Sequence, residues 1–122
     1  MRSASQPPPA NSRADASATP LLDAMDLLGQ RWMLRVIWEL EPGPLGFLEL
    51  RRRMGNCSSS MLSVRLQRLV ESGVVDKKPD KSYELTIAGV ELGYALERVW
   101  RWSERWAGSL ERAGGEDELG TG

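Results

Sequence analysis

The chain has 122 residues, of which 41% are hydrophobic and 27% charged, and its formal net charge is −1. This composition is typical of one globular domain with short tails. No histidine and only one cysteine are present, so the commonest general base is absent and an internal disulfide is excluded. No apolar run approaches the ~20 residues of a membrane helix, and the N-terminal residues lack the apolar stretch of a signal peptide. We therefore expect a cytoplasmic protein without a membrane partner.

Positive charge is concentrated in one part of the chain. Residues 45–81 contain eight lysines and arginines against four acids, a net charge of +4 that leaves −5 for the other residues. This asymmetry predicts a face that binds a polyanion on an otherwise acidic protein. Solvated surface charge would produce the same distribution, so charge alone does not decide between the two interpretations.

The first half of the chain predicts four helices after a tail. Residues 1–19 are rich in Pro, Ser and Ala and predict a disordered tail. The stretch "PLLDAMDLLG" predicts a helix, and "RWMLRVIWEL" predicts a buried second helix that begins at Arg31. "FLELRRRM" predicts a short third helix, and Ser58 is placed to cap a fourth that continues to about Ser72.

The second half predicts a hairpin and one long helix. "VVDKK" and "SYELT" are short β-prone runs on either side of Pro79-Asp80-Lys81. Thr86 is placed to cap a last helix, and the glycine- and acid-rich residues 109–122 predict a flexible tail. The order predicts a mainly α fold with a small β-hairpin, a winged helix-turn-helix, with its domain at residues 20–108.

The fourth helix has one apolar side and one unusually small, uncharged side. At 100° per residue, one side carries leucines and a valine and the other carries serines, a valine and a glutamine. The apolar residues are Leu62, Leu66, Leu69 and Val70, and the opposite residues are Ser60, Ser63, Val64 and Gln67. Capping requires only Ser58, so the other serines suit close approach to a polyanion. A merely polar surface is the alternative.

The last helix carries more aromatic side chains than a small core needs. Leu92, Leu96, Val99, Trp106 and Leu110 form one helical stripe. Part of this stripe would serve to close the domain core, but the surplus favours a subunit interface. The residues predicted for a homodimer interface are Leu21, Leu22, Met25, Trp100, Trp102 and Trp106.

Three motifs resemble those of HxlR-type transcriptional regulators. Residues 29–50, "GQRWMLRVIWELEPGPLGFLEL", are similar to that family's G-x-R-W-x-L-x-I-L-x-E-L…G-P-x-R-F-x-E-L pattern. "SSSMLSVRLQRLVESGVV" resembles S-x-x-M-L-S-x-R-L-x-x-L-x-x-x-G-L-V, and "YELTIAG" resembles Y-x-L-T-x-x-G, which MarR-type winged helices share. The resemblance covers residues 20–107.

The resemblance implies a homodimeric repressor or activator that binds double-stranded DNA without a cofactor. Its fourth helix would enter the major groove, and a two-fold dimer would recognise an inverted-repeat operator. The residues expected to probe bases are Ser59, Ser60, Ser63, Val64 and Gln67. The residues expected to hold phosphates are Arg31, Arg52, Arg53, Arg68, Lys77, Lys78 and Lys81. Whether a small-molecule effector exists is left open.

Several positions depart from the family pattern. Gly46, Ser60 and Gln67 stand where relatives often have basic residues, and the wing is reduced to Pro79-Asp80-Lys81-Ser82. Fewer phosphate contacts predict weaker affinity. The cysteine that many members carry before the first helix is missing, so a redox switch there is not carried over. Cys57 is interpreted as a small buried hydrophobe, with a sensor thiol as the alternative.

Further interpretations concern single arginines and the class of function. Arg31 either contacts a phosphate or pairs with an acid such as Asp26. Arg65 is expected to be structural, and Arg51 to lie with its neighbours on a solvated face. The trimmed wing also allows a winged-helix protein-interaction module with little DNA affinity. An enzyme is disfavoured because no nucleophile–base pair or metal cluster is visible.

Overall fold

The computed structural model describes residues 19–121, with side chains for residues 19–114. The predicted N-terminal tail lies outside the described residues, apart from Thr19. The elements are α1 at residues 19–28, then α2 (Met33–Leu40), α3 (Phe47–Arg53), α4 (Ser59–Glu71), β1 (Val75–Lys77), β2 (Tyr83–Leu85) and α5 (Ile87–Thr121). The predicted winged helix-turn-helix fold, mainly helical with one hairpin, is confirmed.

Helix α2 is the central element of the core. Its side chains Met33, Val36 and Ile37 are fully buried, and it packs against α3, α4, α5 and β2. The other buried apolar side chains are Leu40 of α2 and residues of the surrounding elements and turns: Leu27, Leu50, Met54, Leu62, Leu66, Leu69, Val74, Val75 and Leu96. Burial of this set orients α4 with its leucines inward.

Helix α2 begins two residues later than the sequence predicts. Arg31 lies in the turn before α2 rather than at its start, because Trp32 adopts a left-handed backbone with φ 75°. A non-glycine residue at positive φ does not continue a right-handed helix. The Arg31 carbonyl oxygen accepts a hydrogen bond from Arg65 Nε at 2.7 Å, so this turn is attached to α4.

The wing is a two-stranded antiparallel hairpin that pairs Val75 with Leu85 and Lys77 with Tyr83. Leu45 extends this sheet by one bridge, in which its N–H and carbonyl exchange hydrogen bonds with Tyr83 at 3.0 and 2.8 Å. The predicted hairpin is confirmed. The bridge ties the wing to the segment that leads into α3, so the position of the wing relative to the helix-turn-helix is defined.

The last helix is longer than the sequence predicts. Where a tail was expected from residue 109, α5 continues to Thr121. Ser109 to Ala113 include leucine, glutamate, arginine and alanine, most of which are good helix formers, and the two glycines that follow do not end the helix. The boundaries of the domain, residues 20 and 108, stay a prediction.

Candidate nucleic-acid interface

The exposed side of α4 is the candidate surface for nucleic acid. Ser58 caps the helix, with its Oγ accepting the Met61 N–H at 3.2 Å, as predicted. Leu62, Leu66 and Leu69 are buried, which turns the opposite side to solvent. We call the five exposed residues there the serine face: Ser59, Ser60, Ser63, Val64 and Gln67.

The serine face presents small, uncharged atoms together with an apolar patch. Val64 is 57% exposed, so its methyl groups are free to contact another molecule. Val70, which the sequence predicts on the buried stripe, is 38% exposed, because it lies at the edge of that stripe by the 100° rule. No side chain of the serine face forms an ion pair within the described part of the chain.

Glu71 belongs to this surface and was missed by the sequence analysis. Its Oε2 accepts a hydrogen bond from Gln67 Nε2 at 3.0 Å. It lines a shallow groove of about 300 Å³ together with Ser63, Val64, Gln67 and Arg68. Glu71 follows Gln67 by four residues, so the spacing already placed the two on one side of the helix. The structure therefore brings four predicted residues together beside one carboxylate.

Two of the predicted phosphate-binding arginines are occupied by one acid. Glu49 forms ion pairs with Arg52 and Arg53, the latter at 2.9 Å between Nε and Oε2. Hydrogen bonds from Arg52 and Arg53 hold the pKa of the Glu49 carboxyl below its ordinary value, and the same contact raises the pKa of Arg52. The carboxylate is thus ionised at neutral pH, and both guanidinium groups have a competing partner.

The wing presents one paired lysine and two without an ion pair. Lys78 Nζ lies 3.0 Å from Glu84 Oε1, and this hydrogen bond raises the pKa of Lys78. Lys77 lies over the ring of Tyr83, with Nζ 5.6 Å from the ring centroid. Lys81 is exposed at the tip with φ 71°. Asp80 organises this turn, since its Oδ1 accepts the Ser82 N–H and hydroxyl, which lowers the pKa of Asp80.

Two other arginines of the positive segment hold the fold together. Arg65 Nε donates to the Arg31 carbonyl, and Arg51 Nε donates to the Cys57 carbonyl at 2.6 Å. The first contact attaches α4 to the turn before α2, and the second spans the turn between α3 and α4. Arg65 is therefore structural, as expected. Cys57 is half-buried and packs against the core, which agrees with its interpretation as a small hydrophobe.

Arg31 and Arg68 have different surroundings. Arg31 forms no ion pair with Asp26 or any other described residue, and its guanidinium carbon lies 5.1 Å from the centroid of the Trp32 ring. Arg68 lines a cavity of about 340 Å³ that Asp23 and Asp26 of α1 also line. Arg31 is thus exposed and available, whereas two carboxylates of α1 lie on the same cavity as Arg68.

The apolar side chains predicted for a dimer interface lie on α1 and near the middle of α5. On α1, Leu21, Leu22 and Met25 are each about half exposed. On α5, Trp102 and Trp106 are both 51% exposed and stack with ring centroids 5.4 Å apart. Trp100 differs from them, because it is half-buried against the core and its Nε1 donates to Glu41 at 3.3 Å.

Two classes of site are absent from the described residues. None of their helices is both long and apolar enough to cross a membrane. Their His, Cys, Asp and Glu side chains form no group of three or more that could hold a metal ion.

The family model of HxlR-like helix-turn-helix proteins matches residues 27–111, more than half of the chain. The protein belongs to this family. The matched region includes the serine face, the wing and most of the described part of α5. The chain is therefore a DNA-binding transcriptional regulator, and its family is one of regulators rather than enzymes.

Relatives and solved structures agree with this assignment. The chain is 33% identical over 89 residues to the uncharacterized HTH-type transcriptional regulator YvaP of Bacillus subtilis (strain 168), a match covering 68% of this chain and 82% of that protein. It is 35% identical over 89 residues to the uncharacterized regulator Rv3095 of Mycobacterium tuberculosis (strain ATCC 25618 / H37Rv), covering 68% of this chain but only 56% of that protein.

Among solved structures, quinone-bound YodB from B. subtilis superposes with a TM-score of 0.66 at 29% identity, covering 70% of this chain and 96% of that one. A possible HxlR family transcriptional factor from Thermoplasma volcanium GSS1 gives a TM-score of 0.62 at 25% identity, covering 68% of this chain and 80% of that one. These similarities confirm the expected HxlR-type family and fold.

Proposed function

We propose that this regulator binds an inverted-repeat operator as a homodimer, with the serine face of α4 in the major groove. The observation that carries the proposal is the serine face itself. A helix side with small side chains and no ion pairs approaches base edges closely, and hydroxyl and amide groups make hydrogen bonds there. Val64 is suited to contact a thymine methyl group.

The proposed phosphate contacts fall into two groups according to their partners in the free protein. Lys77, Lys81 and Arg31 form no ion pair with a described residue and are exposed or lie over an aromatic ring. Arg52, Arg53 and Lys78 must first exchange a carboxylate for a phosphate, which reduces their net contribution. Arg68 forms no ion pair with a described residue either, but it lines one cavity with Asp23 and Asp26 of α1 and another with Ser63, Val64 and Gln67.

The half-exposed apolar residues of α1 and α5 support the proposed homodimer. Isolated exposed leucines are ordinary, but two stacked tryptophans bury large areas when a partner covers them. We place Leu21, Leu22, Met25, Trp102 and Trp106 in this interface, with Trp100 at its margin. A two-fold dimer sets its two α4 helices about 34 Å apart, one turn of duplex. A cytoplasmic location agrees with binding chromosomal DNA.

Fluorescence anisotropy with labelled duplex from the upstream region of the protein's own gene tests this proposal. A scrambled duplex is the control, and both are titrated at two salt concentrations. We expect selective binding to the upstream duplex that weakens as salt rises. Equal, feeble binding to both duplexes, with no salt dependence, would contradict it.

Lys77→Ala separates the phosphate contacts from base recognition in the same assay. We expect it to weaken binding to both duplexes by a similar factor and to reduce the salt slope by about one unit. Arg105→Ala, an equal loss of charge at an exposed position of α5, is the control and should change neither quantity. A loss confined to the upstream duplex would instead assign Lys77 to base recognition.

A further inference from the structure

A groove runs along the first half of α5 on the molecule's surface. It has a volume of about 610 Å³ and lies between α5, the end of β2 and the residue that follows α2. We call it the α5 groove. Glu41, which follows α2, lies close to the α5 backbone in this groove. Residue 93 is a glycine, and a Cβ there would lie only 3.3 Å from Glu41 Oε2. The absence of a side chain at Gly93 therefore leaves room for the Glu41 carboxylate.

The charges that line the α5 groove are mostly negative. Three carboxylates, those of Glu41, Glu97 and Glu104, face one guanidinium, that of Arg101. Arg101 already pairs with Glu97 at 3.0 Å. Glu41 and Glu104 form no ion pair with a described residue, and the one hydrogen bond to Glu41 comes from the neutral indole of Trp100. Two carboxylates thus remain without a cation.

Aromatic rings line the same groove. Tyr94 is 73% exposed, so its ring has no partner within the described part of the chain that covers it. Trp100 contributes its indole, which also lines a second cavity of about 340 Å³ between α2 and α5. Aromatic faces attract ammonium and guanidinium groups through the ring quadrupole. Carboxylates without an ion pair would bind the charged group of an organic cation, and the neighbouring aromatic rings would contact its apolar body.

The α5 groove meets the proposed dimer interface only at its margin, at Trp100. At 100° per residue, Trp102 and Trp106 lie about 80–120° around α5 from Tyr94 and about 140–180° from Glu97 and Glu104. A partner subunit on Trp102 and Trp106 therefore leaves the carboxylate side of the groove open. Its volume falls within the range of ~300–1,000 Å³ typical of small-molecule sites, whereas a stable protein interface needs ~800 Å² from each partner.

We propose that the α5 groove binds a small organic ammonium ion with an aromatic body. The ammonium group lies at the Glu41 carboxylate, which is held near Gly93 and the Trp100 indole, and its apolar body lies against Tyr94 and Trp100. The groove also includes Leu85 of the wing strand β2, so the ligand contacts both the wing and the dimerisation helix.

Isothermal titration of the full chain with benzyltrimethylammonium chloride, without DNA and at constant ionic strength, tests this proposal. Benzyl alcohol is the uncharged comparison and tetralysine stands for a basic peptide. We expect saturable binding of the ammonium ion, at least fivefold weaker binding of benzyl alcohol, and no comparable binding of tetralysine.

Substitutions in the groove make the test specific. Glu41→Gln and Tyr94→Ala change exposed side chains and should each weaken binding of the ammonium ion at least about fivefold. Glu91→Gln, the same charge change at an exposed position of α5 outside the groove, should leave its affinity within twofold. The proposal would be overturned if the ammonium ion did not bind, or if benzyl alcohol bound equally well or tetralysine more tightly. It would also be overturned if neither groove substitution changed the affinity for the ammonium ion. DNA titrations of the same variants report separately on the proposed function.

Discussion

The serine face of α4 owes its character to the size of its side chains. Serine is a modest helix former, and ordinary solvent-facing positions carry longer charged residues that keep another surface at a distance. Here Ser58 alone caps the helix, so Ser59, Ser60 and Ser63 are not needed as caps. All three are exposed, and the Ser60 hydroxyl lies 3.3 Å from that of the capping Ser58. We expect single substitutions at these positions to separate binding from stability.

Ser60→Glu should reduce operator binding by at least about tenfold while leaving the domain folded. A carboxylate there faces phosphates and acceptor-rich base edges, so it repels DNA. In the first turn of α4 the same negative charge interacts favourably with the helix dipole, so the stability of the helix is not reduced. Fluorescence anisotropy measures the affinity for DNA. Thermal denaturation, monitored by circular dichroism, shows whether the domain is folded. Ser109→Glu on α5 is the matched control, and an unchanged affinity for Ser60→Glu would refute the assigned face.

Glu49→Gln should strengthen binding to all duplexes and steepen its salt dependence. Hydrogen bonds from Arg52 and Arg53 lower the pKa of Glu49, and its carboxylate holds both guanidinium groups. Releasing them adds up to two phosphate contacts, so the slope of log affinity against log salt should become steeper by about one to two units. Glu91→Gln controls for the loss of one negative charge. An identical slope in both variants would place Arg52 and Arg53 away from the DNA.

The sequence was sufficient for side-chain contacts within one helix but not for contacts between residues far apart in the chain. Spacing places Glu49 three and four residues before Arg52 and Arg53, and Gln67 four before Glu71, so these contacts were readable from helical geometry. The Lys78–Glu84 pair depends on the register of the hairpin, and the Arg65–Arg31 hydrogen bond joins residues 34 apart in sequence. Such contacts require the folded chain.

At the scale of elements, local signals located most boundaries. The caps at Ser58 and Thr86 were predicted, and Thr86 Oγ1 accepts the Gly89 N–H at 3.1 Å. The late start of α2 was not predictable, because a left-handed tryptophan runs against its intrinsic preference. It is maintained by the surrounding structure, including the hydrogen bond from Arg65 to the preceding carbonyl.

Gly89 is required where α5 crosses the segment between α4 and β1. A Cβ at this position would lie 2.2 Å from the Val74 carbonyl oxygen, a backbone atom that cannot move away alone. Gly89→Ala should therefore destabilise the protein by about 2 kcal/mol or more, measured by denaturant unfolding. Gly114→Ala is the control, since no neighbour lies within 4 Å, and it should be neutral or slightly stabilising. Equal stabilities would contradict this packing.

At the scale of the whole molecule, α5 determines the shape. Its 35 residues make a rod of about 52 Å, of which only the first half packs on the core through Leu92, Leu96 and Trp100. Trp102 and Trp106, near the middle of the helix, lie at the surface. In the proposed dimer, the α5 helices of the two subunits would pack together and form a hydrophobic core at the interface.

Trp106→Glu should convert the dimer to a monomer at micromolar concentration, because burial of a carboxylate without a partner is unfavourable. Loss of the second α4 removes simultaneous binding of both half-sites, so operator affinity should fall by about 100-fold or more. Sedimentation velocity measures the mass and anisotropy the affinity. Tyr94→Glu, at an exposed position on another side of α5, should stay dimeric. A Trp106→Glu protein that also stays dimeric would place the interface elsewhere.

The ion pairs of Glu49 and Glu84 affect how such a regulator would find its site. Chromosomal DNA offers a very large excess of wrong sequences, all with the same phosphates, and a strongly cationic protein spends most of its time on them. In the proposed DNA complex, the internal ion pairs of Arg52, Arg53 and Lys78 would weaken binding to the operator and to every other sequence by a similar factor. The protein would then leave wrong sequences sooner, while its preference for the operator would rest on the serine face.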